Sequence, residues 1–292
     1  EVIDMGYAPQ LYNVAWDTIK VVDPVQSWFA FGLGNSQGVW LTRNALRLAS
    51  NHDGFMQAAD QTMSGSVSAM EFSKDGDHLF VGTSEGQVWR VSGLSDIYSP
   101  NTSVDTSITG FSTFELVKSF GTDRYVTGLS SSKQNSDFLV VTLGEYGGVF
   151  DNIQRTTTAT QGSNVNFTTI TGNLPFTTGT PFYSCVVDRN DSDIILVGCD
   201  FGVFMTENGG TTWENASGDF GNTPVFDLGQ NWRTWDEGCY VPGEIYAGTH
   251  GRGIWSTGAF LGVQEAQDNL ESKSFESDVL VYPNPVADFG TI

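Results

Sequence analysis

Leu79-Phe80-Val81-Gly82-Thr83-Ser84-Glu85-Gly86-Gln87-Val88-Trp89 is the stretch that decides the fold of this chain. A β-forming run reaches a glycine, crosses a short polar turn, and resumes as Gly/Gln-Val/Ile-Trp/Phe. Two antiparallel strands joined by a tight turn are written in this way. The phrase returns as FAFGLGNSQGVW (29–40), LVVTLGEYGGVF (139–150), ILVGCDFGVF (195–204) and IYAGTHGRGIW (245–255). The equivalent positions Gly32, Gly82, Thr142, Gly198 and Gly248 lie 50, 60, 56 and 50 residues apart. Sheet-sized units at that period predict the blades of a β-propeller.

Working outward, three phrases have a visible upstream half. SVSAMEF (66–72) precedes the polar turn SKDGD (73–77), and FYSCVV (182–187) precedes DRNDSD (188–193). Val126-Thr127-Gly128-Leu129 precedes a polar stretch ending at Asp137. Each reads as strand, turn, strand, with Asp, Asn, Ser and Gly closing the hairpin. A third strand carries the Trp or Phe, and the less regular segment after it supplies a fourth. The expected class is therefore all-β, a propeller of four-stranded antiparallel blades over residues 1–260. Trp40, Trp89, Phe150, Phe204 and Trp255 should occupy equivalent places about one axis. Helical periodicity is scarce, and 42–49 is its best candidate. Residues 152–168, rich in Thr, Asn and Gln, read as an insertion or long outer loop. Residues 214–244 are irregular and place Trp232, Trp235 and Cys239 in a long connection.

The 292 residues carry 13 Lys+Arg against 34 Asp+Glu, a net charge of −21. Such a polyanion has few cations to displace phosphate counterions, which argues against nucleic-acid and anionic-lipid partners. No run approaches the roughly 20 apolar residues of a transmembrane helix. The three cysteines, Cys185, Cys199 and Cys239, are neither a disulfide framework nor a zinc pattern. Cys185 and Cys199 flank a hairpin and read as small buried residues. His52, His78 and His250 are far apart and lack metalloprotease spacing, and no nucleophile elbow or phosphate loop is present. Asp188-x-Asn190-Asp191-x-Asp193 has a Ca²⁺-loop look, but it lacks the later bidentate Glu and sits where a hairpin turn is required. No metal and no cofactor are expected.

After Trp255 the character changes. Residues 261–278 are acidic and poorly periodic, as a linker is. Residues 279–292 then restart a strand with Val-Leu-Val-Tyr-Pro-Asn-Pro-Val. The polar residues after Glu1 hold no signal-peptide core. With five blade phrases visible, the expectation is that further blades precede Glu1, a five-bladed ring being the alternative.

Two resemblances follow from these residues. Thr206-Glu207-Asn208-Gly209-Gly210-Thr211-Thr212-Trp213 resembles the Asp-box, or BNR, motif, Ser/Thr-x-Asp-x-Gly-x-Thr-Trp. Thr206, Gly210, Thr212 and Trp213 match, and Asn208 stands where the family has Asp. The resemblance implies a tight turn between the outer strands of a blade, away from any active site. With the repeats, residues 1–260 look like the BNR-type propellers of sialidases, xyloglucanases and sortilin-like proteins, which commonly have about seven or eight blades. The tail Val281-Tyr282-Pro283-Asn284-Pro285 resembles the opening of the type A C-terminal sorting domain of the Bacteroidetes type IX secretion system, a β-sandwich. It implies export by the type IX machinery at the outer membrane, and a secreted or cell-surface location.

The turns between second and third strands should open on one face beside the central channel. That gathers Asn35, Ser36, Gln37, Ser84, Glu85, Glu145, Tyr146, Asp200, Phe201, His250 and Arg252 into a rim. Tyr146, Phe201, His250 and Arg252 are the candidate ligand contacts. A glycoside hydrolase needs two carboxylates, about 5 Å or about 6.5–9.5 Å apart. Glu85, Glu145 and Asp200 are the candidates. A sialidase needs clustered arginines, and Arg43, Arg90, Arg124, Arg189 and Arg252 are scattered. The leading expectation is a binding, adhesion or scaffolding module for an extracellular glycan or protein. The alternative is a polysaccharide hydrolase of xyloglucanase type.

Overall fold

The computed structural model describes residues 28–33, 38–42, 56–59, 63–94, 113–148, 150–234 and 239–258. Their strands form five antiparallel sheets, one per repeat, each a blade of the propeller. The first holds β1 (Phe29–Gly32), β2 (Val39–Thr42) and β3 (Met56–Ala59). The second is β4 (Val67–Phe72), β5 (His78–Thr83), β6 (Gln87–Ser92) and β7 (Thr113–Ser119). In the third are β8 (Val126–Ser131), β9 (Leu139–Leu143), β10 (Ile153–Thr156) and β11 (Thr168–Thr169). The fourth is β12 (Phe182–Val187), β13 (Ile195–Cys199), β14 (Gly202–Thr206) and β15 (Glu214–Asn215). The fifth holds β16 (Val225–Gln230), β17 (Ile245–Thr249) and β18 (Gly253–Thr257). Among the described residues, no helix is long and apolar enough to cross a membrane.

The second, third and fourth sheets are each sandwiched between neighbours, which is why their central strands read as unbroken apolar runs rather than alternating ones. All five residues of β9 are buried, as are all five of β13. The core is a series of layers between adjacent blades. Leu79 and Val81 pack with Trp28, Val39 and Leu41 of the first blade. Phe80, pointing the other way on the same strand, packs with Val126, Leu139 and Val141 of the third. Phe182, Val197 and Phe204 join Val140 and Ile153, and Leu196 and Val203 join Val225 and Leu228.

The repeated glycine is a socket for the next blade. A Cβ on Gly32 would lie 2.3 Å from Val67 Cβ, and one on Gly82 would lie 2.4 Å from Val126 Cγ1. At Gly198 it would meet the Val225 carbonyl oxygen at 2.8 Å. In the third blade the small residue has changed strands. Thr142 occupies the socket position, and its cross-strand partner is Gly128, whose Cβ would fall 2.6 Å from Thr142 Oγ1.

The inner strands share a second device. The register slips by one residue between Val67 and Ala69, Val126 and Gly128, Phe182 and Ser184, and Val225 and Asp227. Each slip is a β-bulge, and such bulges re-aim a side chain at a rim. The bulged residues are Ser68, Thr127, Tyr183 and Phe226. Ser68 Oγ donates to the Val126 carbonyl at 2.6 Å, and Thr127 Oγ1 donates to the Phe182 carbonyl. The bulge therefore stitches one inner strand to the next.

Three expectations are corrected. Trp40, Trp89, Phe204 and Trp255 pair with Phe31, Val81, Val197 and Ala247 and are equivalent. Phe150 is not their counterpart, because the residue facing Val141 is Gln154. The turn of the third blade is longer than the repeat phrase implied, and Phe150 lies in it against Phe176 and Phe182. Residues 152–168 are accordingly no insertion, since they contain the third strand β10 and the beginning of β11. Within 214–244, Val225–Gln230 is the inner strand of the fifth blade, and the long connection begins only after it. The helical candidate 42–49 lies outside the described residues except for Thr42, which ends β2. Trp235, His52, Arg43, the linker and the sorting motif Val281, Tyr282, Pro283, Asn284 and Pro285 also lie outside them.

Candidate functional site

The rim is built where β9–β10, β13–β14 and β17–β18 turn. Asp200 and Phe201 form the tight turn after Cys199, and Gly202, at φ 109°, takes a conformation that a side chain would strain. Here the bulge of β12 delivers Tyr183. Its hydroxyl donates to Asp200 Oδ1 at 2.7 Å, and the Tyr146 hydroxyl donates to Oδ2 at 2.9 Å. The two phenol oxygens are 3.1 Å apart. Desolvation, with the hydrogen bonds to Tyr146 and Asp200, pushes the Tyr183 hydroxyl well above the ordinary phenol range. Tyr183 thus remains a proton donor, and Asp200, whose oxygens offer about four lone-pair sites, keeps acceptor capacity for a ligand.

Aromatic faces surround this carboxylate. Phe201 stacks on Phe176 at 5.4 Å, and the Tyr183 ring meets Phe226 edge-on at 4.9 Å. Phe226 in turn meets the His250 ring at 5.6 Å. Tyr146 is 71% exposed, Phe226 49% and Phe201 46%. Three large rings open to solvent around one carboxylate form a surface that apolar sugar faces or flat side chains can cover.

The structure thus brings together Tyr146, Asp200, Phe201 and His250 of the sequence candidates. It does not bring in the others. Glu145 is held by Arg124 Nε at 2.6 Å, and Arg124 Nη1 pairs with Asp151 at 2.8 Å. Arg124 Nη2 also donates to Asn152 Oδ1 at 2.6 Å, so this cluster braces the long β9–β10 turn. Glu85 accepts from the Ser64 hydroxyl on the second blade. Arg252 is engaged elsewhere, donating to the Phe220 carbonyl at 3.1 Å. Ser84 accepts from the Ser66 amide. Asn35, Ser36 and Gln37 lie outside the described residues. Sequence reading missed Tyr183 and Phe226. The available signal was the one-residue break in strand alternation shared by SVSAMEF, YVTGL, FYSCVV and VFDLG.

The Asp-box-like turn joins β14 and β15 at the outer edge of the fourth blade. Asn208 Oδ1 accepts from Thr206 Oγ1 at 2.9 Å and from the Thr212 amide at 2.8 Å, and Gly210 N donates to Thr206 Oγ1 at 3.0 Å. Gly210 carries φ 92°, and a Cβ there would lie 2.5 Å from Ile170 Cβ. Trp213 tucks under the third blade and donates Nε1 to the Ile170 carbonyl at 2.8 Å. In the turn that resembled a Ca²⁺ loop, Asp188 Oδ1 accepts from the amides of Asn190 and Asp191 at 2.8 and 3.1 Å, as a hairpin turn requires. Cys185 and Cys199 are buried thiols. Burial pushes Cys199 up to about 11, and Cys185 higher still.

No family model matches the chain, and no curated protein does. Solved structures do. An ancestral GH74 enzyme is 18% identical with a TM-score of 0.50, over 85% of this chain and 29% of its own. Chaetomium thermophilum Sqt1, solved bound to the N-terminus of the ribosomal protein L10, is 12% identical with a TM-score of 0.51, over 78% of this chain and 55% of its own. A GH74 enzyme of Niastella koreensis is 18% identical with a TM-score of 0.41, over 65% of this chain and 28% of its own. This chain thus spans well under two thirds of these proteins. At such identities the first two likenesses establish the β-propeller and nothing of its activity.

Proposed function

We propose that this chain is a glycan-recognition module and that the Tyr146–Asp200–Tyr183 cluster is its binding site. The observation that carries the reading is one carboxylate held by two phenol hydroxyls among three exposed aromatic rings. Sugar rings offer an apolar C–H face for stacking and hydroxyls for a carboxylate, and the cluster has a partner for each. Affinity electrophoresis through gels carrying a panel of plant, algal and host polysaccharides tests it. At least one polymer should retard the chain, and Tyr146→Ala and Phe201→Ala should each restore free migration. Retardation by no polymer, or by one that ignores both variants, refutes the assignment.

The second reading, a polysaccharide hydrolase of xyloglucanase type, takes its support from the likeness to GH74 enzymes. The local chemistry favours it less. Glu145 is neutralised by Arg124, Glu85 is engaged by Ser64, and Asp200 is engaged by phenols rather than by a second carboxyl. Release of reducing ends from a retarding polymer, abolished by Asp200→Ala, would make this the better account. Export by the type IX machinery to the cell surface is supported by the Val281-Tyr282-Pro283-Asn284-Pro285 motif. Deletion from Val279 onward should then strand the protein in the periplasm, and unchanged surface display would refute it.

A further inference from the structure

A cavity of about 320 Å³ lies along the inner strands β4, β8, β12 and β16 of four successive blades. Tyr183 and Phe226, at the rim ends of β12 and β16, form part of its lining. At the other end of these strands the lining includes Lys133 and Trp232, with Lys133 Nζ 5.0 Å from the Trp232 ring centre. The cavity therefore begins at the aromatic rim and runs down the propeller's inner wall.

Two carboxylates line it, in different states. Glu71 is satisfied. Its Oε1 accepts from Lys133 Nζ at 3.1 Å, Ser131 Oγ at 3.0 Å and the Ser131 amide at 3.2 Å. Asp227 has only neutral donors, the Ser184 hydroxyl at 3.4 Å and the Leu228 amide. Among the described residues no cation pairs with it. Desolvation raises its pKa, and those two hydrogen bonds only partly offset the effect. With Glu71 and Lys133 cancelling, the wall keeps one uncompensated negative charge in a lining that also holds the Phe226 and Tyr183 rings. A carboxylate next to aromatic faces is the environment in which an ammonium group is best held.

We infer that this cavity takes a short saccharide carrying a free amino group, with Asp227 as the partner of its ammonium. The inference rests on the glycan reading of the rim and narrows the ligand class. The volume admits one or two sugar residues at the lower end of the usual range for small-ligand sites, about 300–1,000 Å³. Gln230 lines the same wall with its amide already engaged, Nε2 donating to Asp188 Oδ2 at 2.6 Å and Oε1 accepting from the Arg189 amide at 2.8 Å, so Asp227 is the polar group left for a ligand.

The test uses the full chain and three β-1,4 disaccharides that differ only at C2: cellobiose, the dimer of glucosamine, and its N-acetylated form. Calorimetric titration at slightly acidic pH should find the diamine bound about tenfold or more tightly than cellobiose, the scale of a charge-assisted hydrogen bond. Asp227→Asn, which keeps the shape, should erase that preference. Glu214→Gln, which removes an exposed acid on β15, should preserve it. Equal affinity for all three sugars overturns the inference. So does a preference that survives Asp227→Asn, because bulk attraction to a −21 chain would then explain it. If no disaccharide binds while a polymer still depends on Tyr146, the cavity assignment fails and the rim assignment stands. If neither binds, both fall.

Discussion

Gly82→Ala is the substitution through which blade stacking can be weighed. The glycine lies in β5, where alanine is otherwise acceptable, so the cost comes from the neighbouring blade. A Cβ would stand 2.4 Å from Val126 Cγ1 and 2.9 Å from Val126 Cβ, against an ordinary contact of 3.4–4 Å. Val126 must therefore retreat by about 1 Å. It is fully buried, and its carbonyl is tied to Ser68 at 2.6 Å. Overpacking of that kind costs about 2–3 kcal/mol. Val126→Ala alone costs about 2 kcal/mol in lost burial and cavity. In the double variant the new methyl occupies the space that the valine vacates. The total should then fall about 2 kcal/mol short of the sum, a coupling within the range for residues in contact. Guanidinium denaturation of the four proteins, followed by circular dichroism, measures the cycle. A Gly82→Ala variant within about 0.5 kcal/mol of the parent, or a strictly additive cycle, would refute the socket.

Other expectations are local. Arg124→Met leaves the half-buried carboxylates of Glu145 and Asp151 without their cation, and should cost about 3 kcal/mol in the same denaturation assay. Asn208→Ala removes the acceptor for the Thr212 amide and should cost about 1 kcal/mol, whereas Asn208→Asp keeps the acceptor and should cost much less. Desolvation lowers the pKa of His78, so below about pH 6.5 the unfolded chain takes up that proton first and stability falls as the solution is acidified. His78→Gln should flatten the denaturation midpoint across that window, and an unchanged slope would contradict the assignment. At lower pH, burial of Asp75 acts to raise its pKa but is outweighed by hydrogen bonds from Ser73, the Asp77 amide and Ser136. Its contribution is therefore present above about pH 4 and is lost as pH drops through its lowered value.

The blades were legible in the sequence because a sheet covered on both faces must be written as an apolar run, and a blade–blade contact at one site must be written as a glycine. Leu79 to Gly82 and Ile195 to Gly198 obey both rules. Phe150 misled because the repeat phrase fixes residue types but not turn length. The extra residues of the β9–β10 turn carried the aromatic off the strand and left Gln154 in its place, where Nε2 donates to Thr169 Oγ1 at 2.9 Å. Val225–Gln230 went unrecognised because Asp227 and Gly229 disguise a strand whose one flank lines a cavity rather than a core. Tyr146, Asp200, Phe201 and His250 were readable from turn positions. Tyr183 and Phe226 depend on the bulge, whose effect on side-chain direction needs the register of the paired strand. Glu145 was chosen for its position, but its chemistry was decided by Arg124, 21 residues earlier in the connection from β7 to β8.

Hydrogen–deuterium exchange of the full chain with and without a retarding polysaccharide tests the central assignment most directly. The account predicts added protection in the segments holding Tyr146, Tyr183, Asp200-Phe201 and Phe226, and none in the opposite-face turns 73–77 and 188–193. Protection confined to those opposite turns, or to the Asp-box-like turn 206–213, would place the ligand elsewhere and contradict it.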